Sequence, residues 1–182
     1  MEFSNAWFNY SELRKNINNY LNNEELNNIL EIGSYEGASS CYFSDNFLDH
    51  KDSTLTCIDP FDTKDTTSEV YYNIKDTFIK NITLSKNYNK ITLHETTSDE
   101  FFKGNVKMYN FIYIDGSHII ENIIKDLINA IKYCKKDGII WMDDYLGDNG
   151  NIKPFIDSFY EEYKYFIGIV HKGYQIAFKK LN

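Results

Sequence analysis

The sequence predicts an α/β fold, an open and mostly parallel sheet flanked by helices, from three observations. Short apolar runs recur along the chain and are expected as strands over residues 28–33, 54–59, 90–93, 109–115 and 138–143. Segments of helical character separate them, the alternation that gives a parallel sheet. The first run, Ile29-Leu30-Glu31-Ile32, breaks into Gly33-Ser34-Tyr35-Glu36-Gly37 and continues as a helix-like segment. A strand, a tight turn and a helix N-terminus in that order build a nucleotide-binding crevice.

Taken in order, the glycines come first. Gly33 and Gly37 are separated by three residues, and glycine in a strand-to-helix turn reaches positive φ without strain. The second strand ends at Asp59, about 20 residues beyond the glycines, where an acid accepts hydrogen bonds from a ribose hydroxyl pair. Asp59-Pro60 equally reads as an ordinary strand exit. Tyr35 stands near the place of the second glycine of a dinucleotide fingerprint, which argues against a pyrophosphate cofactor and leaves room for an adenosine without phosphate.

After the third strand, Thr96-Thr97-Ser98-Asp99 is placed to set a hydroxyl or backbone N–H against an adenine, and it also reads as a cap on the helix beginning Glu100-Phe101-Phe102. The segment after Asp115 is the clearest helix. Ile119, Ile120, Ile123, Ile124, Leu127, Ile128 and Ile131 form one stripe, with Glu121, Asn122, Lys125, Asp126 and Lys132 opposite. Pro154 opens a helix through Tyr160, and the runs 165–170 and 174–178, linked by His171-Lys172-Gly173, read as a β-hairpin. Three carboxylates, Asp115, Asp143 and Asp144, end the fourth and fifth strands and are expected on one rim, a hard-oxygen set suited to Mg²⁺. His118, just beyond Asp115, is a candidate proton acceptor, and the polar loops 61–68 and 145–151 lie on the same rim.

These residues carry a resemblance. Glu31-Ile32-Gly33-Ser34-Tyr35-Glu36-Gly37, Asp59, Ile114-Asp115-Gly116-Ser117-His118 and Trp141-Met142-Asp143-Asp144-Tyr145 resemble class I S-adenosylmethionine-dependent methyltransferases, most closely the macrocin-type small-molecule and sugar O-methyltransferases. The resemblance runs from about Asn27 onward. It implies a Rossmann-like methyltransferase sandwich, a mostly parallel seven-stranded sheet with an antiparallel last strand. It also implies S-adenosylmethionine at Glu31, Gly33, Ser34, Tyr35, Gly37, Ser39, Asp59, Thr97, Ser98 and Asp115. A divalent cation, Mg²⁺, is implied at Asp115, Asp143 and Asp144, with Asp115 and His118 as the catalytic pair.

Composition narrows the partners. At 182 residues the chain is expected to form a single domain, with residues 1–26 a helical or covering segment whose Trp7, Phe8 and Tyr10 could pack over the pocket. A net charge of −8 with one arginine, Arg14, argues against nucleic acid as a partner. Cys41, Cys57 and Cys134 are odd in number and sit among apolar residues, so reduced, buried thiols in a cytoplasmic protein are expected. No run suits a membrane span or a leader. A small-molecule acceptor, a sugar or glycan precursor first, is the expected partner, with a homodimer compatible. Two other classes remain at this level: a nicotinamide-dependent reductase, for which Tyr71 and Lys75 supply Tyr-x-x-x-Lys, and a non-catalytic nucleotide-fold module.

Overall fold

The structure is a computed structural model that describes residues 1–62, 74–147 and 150–182. Its seven strands are β1 (Asn28–Ile32), β2 (Thr54–Ile58), β3 (Ile91–His94), β4 (Tyr109–Ile114), β5 (Cys134–Met142), β6 (Ile167–Lys172) and β7 (Ile176–Lys180). They form one sheet in the order β3-β2-β1-β4-β5-β7-β6. The first five pair in parallel, while β7 lies antiparallel between β5 and β6. The helices are α1 (Trp7–Tyr10), α2 (Glu12–Asn16), α3 (Ala38–Phe47), α4 (Ile74–Ile82), α5 (Ser98–Gly104), α6 (Ile120–Tyr133) and α7 (Lys153–Tyr163). This is the Rossmann-like methyltransferase sandwich, with the antiparallel strand that the sequence leads one to expect.

Both sheet faces are covered, which explains why the central strands read as unbroken apolar runs. Leu30, Ile32, Ile112, Ile114, Ile140 and Met142 pack on one side with Ile123 and Leu127 of α6 and Ile156 of α7. Their neighbours in sequence, Ile29, Phe111, Tyr113, Ile139 and Trp141, pack on the other with Phe43 and Phe47 of α3. The N-terminal segment joins that second layer through Leu13, Ile17 and Leu21. Ser11 caps α2 by accepting from the Arg14 N–H at 3.1 Å, and the Arg14 guanidinium sits 4.8 Å from the Tyr42 ring centre. The sheet order reverses between β1 and β4, the switch point at which an open α/β sheet leaves a crevice beyond its strand ends.

Two expectations are corrected. β5 begins at Cys134 rather than near Gly138. Cys134 pairs with Tyr109 of β4, and the register then shifts so that Ile139 pairs with Phe111, with Lys135-Lys136-Asp137 spanning the irregularity. In α6 the buried face is rotated away from the isoleucine stripe: Ile119 and Ile128 are exposed, whereas Asp126 is buried with Ile123, Leu127 and Ala130. Tyr71 and most of the 61–68 loop lie outside the described residues, as do residues 148 and 149 of the 145–151 loop. Lys75, the other half of the Tyr-x-x-x-Lys match, pairs with Glu95 at 2.5 Å.

Candidate active site

The rim residues are set in register by the sheet itself. The first residue beyond each strand donates its N–H to the last carbonyl of the neighbouring strand. Gly33 donates to Ile58 at 2.9 Å, Asp115 to Ile32 at 2.8 Å, Asp143 to Ile114 at 2.9 Å and Asp59 to His94 at 3.2 Å. The ladder is thereby extended by one rung, and four candidate site residues hang from one rigid edge.

Gly33 is fixed by space as well as by conformation. Its φ is +84°, and a Cβ there would lie 2.1 Å from the Asp115 carbonyl oxygen, so only glycine lets the tips of β1 and β4 meet. Gly37, at φ +83°, is the left-handed N-cap of α3 and lines neither cavity described below, so its part is to shape the turn. Glu31 is likewise corrected from a cofactor contact to a support. It is fully buried and lines neither cavity, and its carboxylate is met by the hydroxyls of Ser34 (2.8 Å), Ser39 and Ser40. Burial pushes its pKa up, while those hydroxyls pull against the rise. Asp59 reaches back into the turn: Oδ2 accepts the N–H groups of Ser34 and Tyr35, both at 2.8 Å, and Oδ1 that of Phe61 at 2.7 Å. A carboxylate has about four acceptor positions, so Asp59 keeps capacity for a ribose hydroxyl.

Two connected cavities open over this edge. A recess of about 360 Å³ runs from Gly33 and Asp59 between Ile58, Pro60, Thr97 and Ser98 toward Asn122 and Asp126. A wider cleft of about 1350 Å³ shares Gly33, Tyr35, Asp59 and Asp115 with it and extends past Ser34, Ser39 and His118 to the N-terminal segment. Trp7 and Tyr10 line that cleft and are 72% and 75% exposed, so α1 presents aromatic surface to its mouth rather than to the core. Tyr35, at φ +47°, stacks on Trp7 with ring centres 6.4 Å apart. Glu12, Asp59, Asp62, Asp115, Asp143 and Asp144 line the cleft, against Lys15 as the one lysine or arginine among its described lining.

The acids at its floor form a hydrogen-bonded network. The buried Tyr113 hydroxyl lies 2.9 Å from Asp115 Oδ2 and 2.7 Å from Asp143 Oδ2. One phenol proton serves one carboxylate, so the bridge is complete when a second proton resides on an acid. Asp115 opens onto the cleft and is exposed to solvent there, while the protein packed around its carboxyl, and then the charge of Asp143, push its pKa upward. Asp143 is raised as well, chiefly by burial, against the bonds from Tyr113 and Gln175. Asp143 Oδ1 accepts from Gln175 Nε2 at 2.6 Å and from the Asp144 N–H at 2.9 Å. Gln175 is held in that orientation because its Oε1 accepts from Trp141 Nε1 at 2.9 Å and from the Leu13 N–H at 2.6 Å. The sequence offered no signal for Gln175 beyond its place at the hairpin.

Asp144 turns the other way. It accepts from Tyr174 at 3.1 Å and faces His118 Nε2 at 3.1 Å, and the histidine bond holds its pKa below the ordinary value. Asp115 and Asp143 lie within reach of the Tyr113 hydroxyl, Asp143 also meets Gln175, Asp144 faces an imidazole, and among the described residues no three His, Cys, Asp or Glu side chains are grouped to hold a metal ion. What the rim offers is a proton-sharing network beside an Asp–His pair. No helix among the described residues is long and apolar enough to cross a membrane, and the three cysteines are buried and free.

A crevice at a switch point, walled by carboxylates and floored by an obligatory glycine, defines a nucleotide-type α/β enzyme fold. A family model described as a methyltransferase domain matches residues 30–145, more than half of the sequence, and the chain belongs to that family. Among solved structures, the O-methyltransferase from Bacillus cereus in complex with SAH is 16% identical, with 93% of this chain and 88% of that chain covered and a TM-score of 0.63. The O-methyltransferase TomG from Streptomyces achromogenes, involved in tomaymycin synthesis and in complex with SAM, is 12% identical over 87% of this chain and 74% of that chain, with a TM-score of 0.64. A candidate rRNA methylase from Clostridium thermocellum is 13% identical over 100% of this chain and 99% of that chain, with a TM-score of 0.72. At these identities the likeness is one of fold. The comparison with curated proteins gives no match.

Proposed function

We propose that the chain is an S-adenosylmethionine-dependent O-methyltransferase acting on a small, uncharged hydroxylated molecule, with His118 as general base. The observation that carries this reading is the charge of the cleft, where six carboxylates face one lysine. Such a field attracts the cationic sulfonium and repels the pyrophosphate of a nicotinamide cofactor, as it repels a nucleic-acid acceptor. Two of the neighbours of like fold were solved with SAM or SAH.

S-adenosylmethionine would supply the electrophilic methyl group. Gly33 would let the methionine end lie against backbone, Asp59 would accept from the ribose, and Asp115 would face the sulfonium. Asp144 at Nε2 orients the His118 ring beside the acceptor space. The acceptor oxygen would attack the methyl carbon, the C–S pair would return to sulfur, and the hydroxyl proton would pass to His118. No step of this scheme is routed through a cation at Asp115, Asp143 and Asp144. Aromatic surface on Trp7, Tyr10 and Tyr174 favours a ring-bearing acceptor, a sugar or a phenol, which stacks without needing charge.

The test is release of S-adenosylhomocysteine from S-adenosylmethionine over a panel of neutral glycosides and phenols, with and without a chelator. Turnover that survives the chelator and is lost in His118→Ala is expected. Turnover only with added Mg²⁺, or undiminished in His118→Ala, would overturn the mechanism.

A further inference from the structure

The lysines of this acidic chain are unevenly placed. Lys107, Lys132, Lys135, Lys136 and Lys180 form no ion pair among the described residues, and the topology gathers them at one end of the sheet. There β4 and β5 start together, with Tyr109 on Cys134; β7 ends beside the start of β5, with Lys179 on Ile139; and β6 starts beside the end of β7, with Ile167 on Lys180. Lys107 precedes β4, Lys132 lies in the last turn of α6, Lys135 and Lys136 open β5, and Lys180 closes β7. Burial first, and then the charge of Lys135, lower the Lys107 pKa, so the edge gathers cations against their own repulsion. Asp137 and Glu161 at the same end are held by Lys179 and Lys164, both at 2.8 Å.

Apolar side chains stand among these lysines. Val106 is 92% exposed and Tyr165 76%, and Met108, Phe166 and Leu181 are exposed as well. Val106 is presented in a fixed position, because Asn105 accepts the Lys107 N–H at 3.1 Å and donates to the Lys107 carbonyl at 3.0 Å on its far side. The Lys180 ammonium lies 5.4 Å from the Phe166 ring centre. Neither cavity described above reaches these residues. A polynucleotide backbone has no use for aliphatic tips such as Val106 and Leu181, whereas a bilayer interface takes cations at its headgroups and apolar side chains just below them.

We propose that this edge docks the protein on a lipid bilayer rich in anionic headgroups, with the lysines at the headgroups and Val106, Tyr165 and Phe166 in the interface. The same surface repels the acidic cleft at the other strand ends, so the docked molecule is oriented with its cleft open to water. Docking is independent of the methyl-transfer reading.

The experiment is co-sedimentation of the full chain with vesicles of phosphatidylcholine alone and of phosphatidylcholine with phosphatidylserine in equal parts. Wild type is expected on the mixed vesicles and not on the neutral ones, with release as added salt screens the charges. A lysine near an anionic surface is worth about fivefold in partitioning, so Lys135→Glu with Lys136→Glu, which removes two cations and adds two anions, should weaken binding by about 100-fold or more. Val106→Asp, at a position outside the core, should weaken it by at least about fivefold. The same charge change at the exposed Lys75 and Lys86 should cost about threefold or less at ~0.15 M salt, where screening confines charge effects to about 8 Å. Thermal melting of each variant separates lost docking from lost fold. Equal binding to neutral vesicles, no binding to mixed ones, or equal weakening by the Lys75 and Lys86 changes overturns the proposal. An RNA oligonucleotide that binds where mixed vesicles do not, and is lost in the Lys135 and Lys136 variant, overturns it in favour of a polynucleotide.

Discussion

Asp126→Asn should make the free protein more stable, and the gain should depend on pH. Burial raises the Asp126 pKa from 3.8 to about 6. Those about 2 units correspond to roughly 3 kcal/mol of differential stability at about 1.36 kcal/mol per unit. The folded pKa is raised, so the native state loses nothing below the unfolded value. The penalty grows as pH rises from 3.8 toward 6 and is complete above that. Asparagine keeps the shape and deletes the charge but still buries an amide, so about 1–3 kcal/mol should be recovered at pH ~8. For a domain of this size that is roughly 3–10 °C in melting temperature. Thermal melts of both proteins at pH ~4, 6 and 8 provide the assay. Glu31, Asp115 and Asp143 tilt the wild-type curve in the same direction, so the difference between the two proteins isolates Asp126. A gain of equal size at every pH, or a loss at the highest, would refute the reasoning.

Other outcomes follow from the same geometry. Gly33→Ala should cost at least about 2 kcal/mol in urea denaturation and abolish S-adenosylhomocysteine binding, because its Cβ would sit 2.1 Å from the Asp115 oxygen. Gln175→Glu keeps both acceptor bonds, to Trp141 and the Leu13 N–H, but sets an oxygen against Asp143. It should lose about 2–3 kcal/mol at pH ~8 and recover as acidification returns a shared proton, again by denaturation. Asp144→Asn should lower methyl transfer by about 100-fold or more while leaving S-adenosylhomocysteine affinity within twofold, as expected of a group that acts through His118.

The central strands were legible because both of their faces are buried, which leaves no polar alternation to confuse β1, β2 or β4. The glycine turn was legible for a similar reason, since Gly33 is demanded by contact as well as by φ. Asp126 was not legible. A helical wheel sorts residues by polarity, whereas α6 turns a face carrying a carboxylate inward beside a cavity and leaves Ile119 and Ile128 in solvent. The acid rim was legible in sequence, whereas the donors that Tyr113, Gln175 and His118 bring to it were not, because which donor faces which acid depends on tertiary placement. Gln175 comes from the last hairpin and is oriented by Trp141 and by the Leu13 backbone, a set of contacts that no local pattern encodes.

Titration of S-adenosylhomocysteine, and separately of NADH, into the purified protein tests the central claim most directly. The acidic, glycine-floored cleft predicts one S-adenosylhomocysteine site per chain and no heat from the dinucleotide. Heat from NADH, or none from S-adenosylhomocysteine across several temperatures, would contradict it.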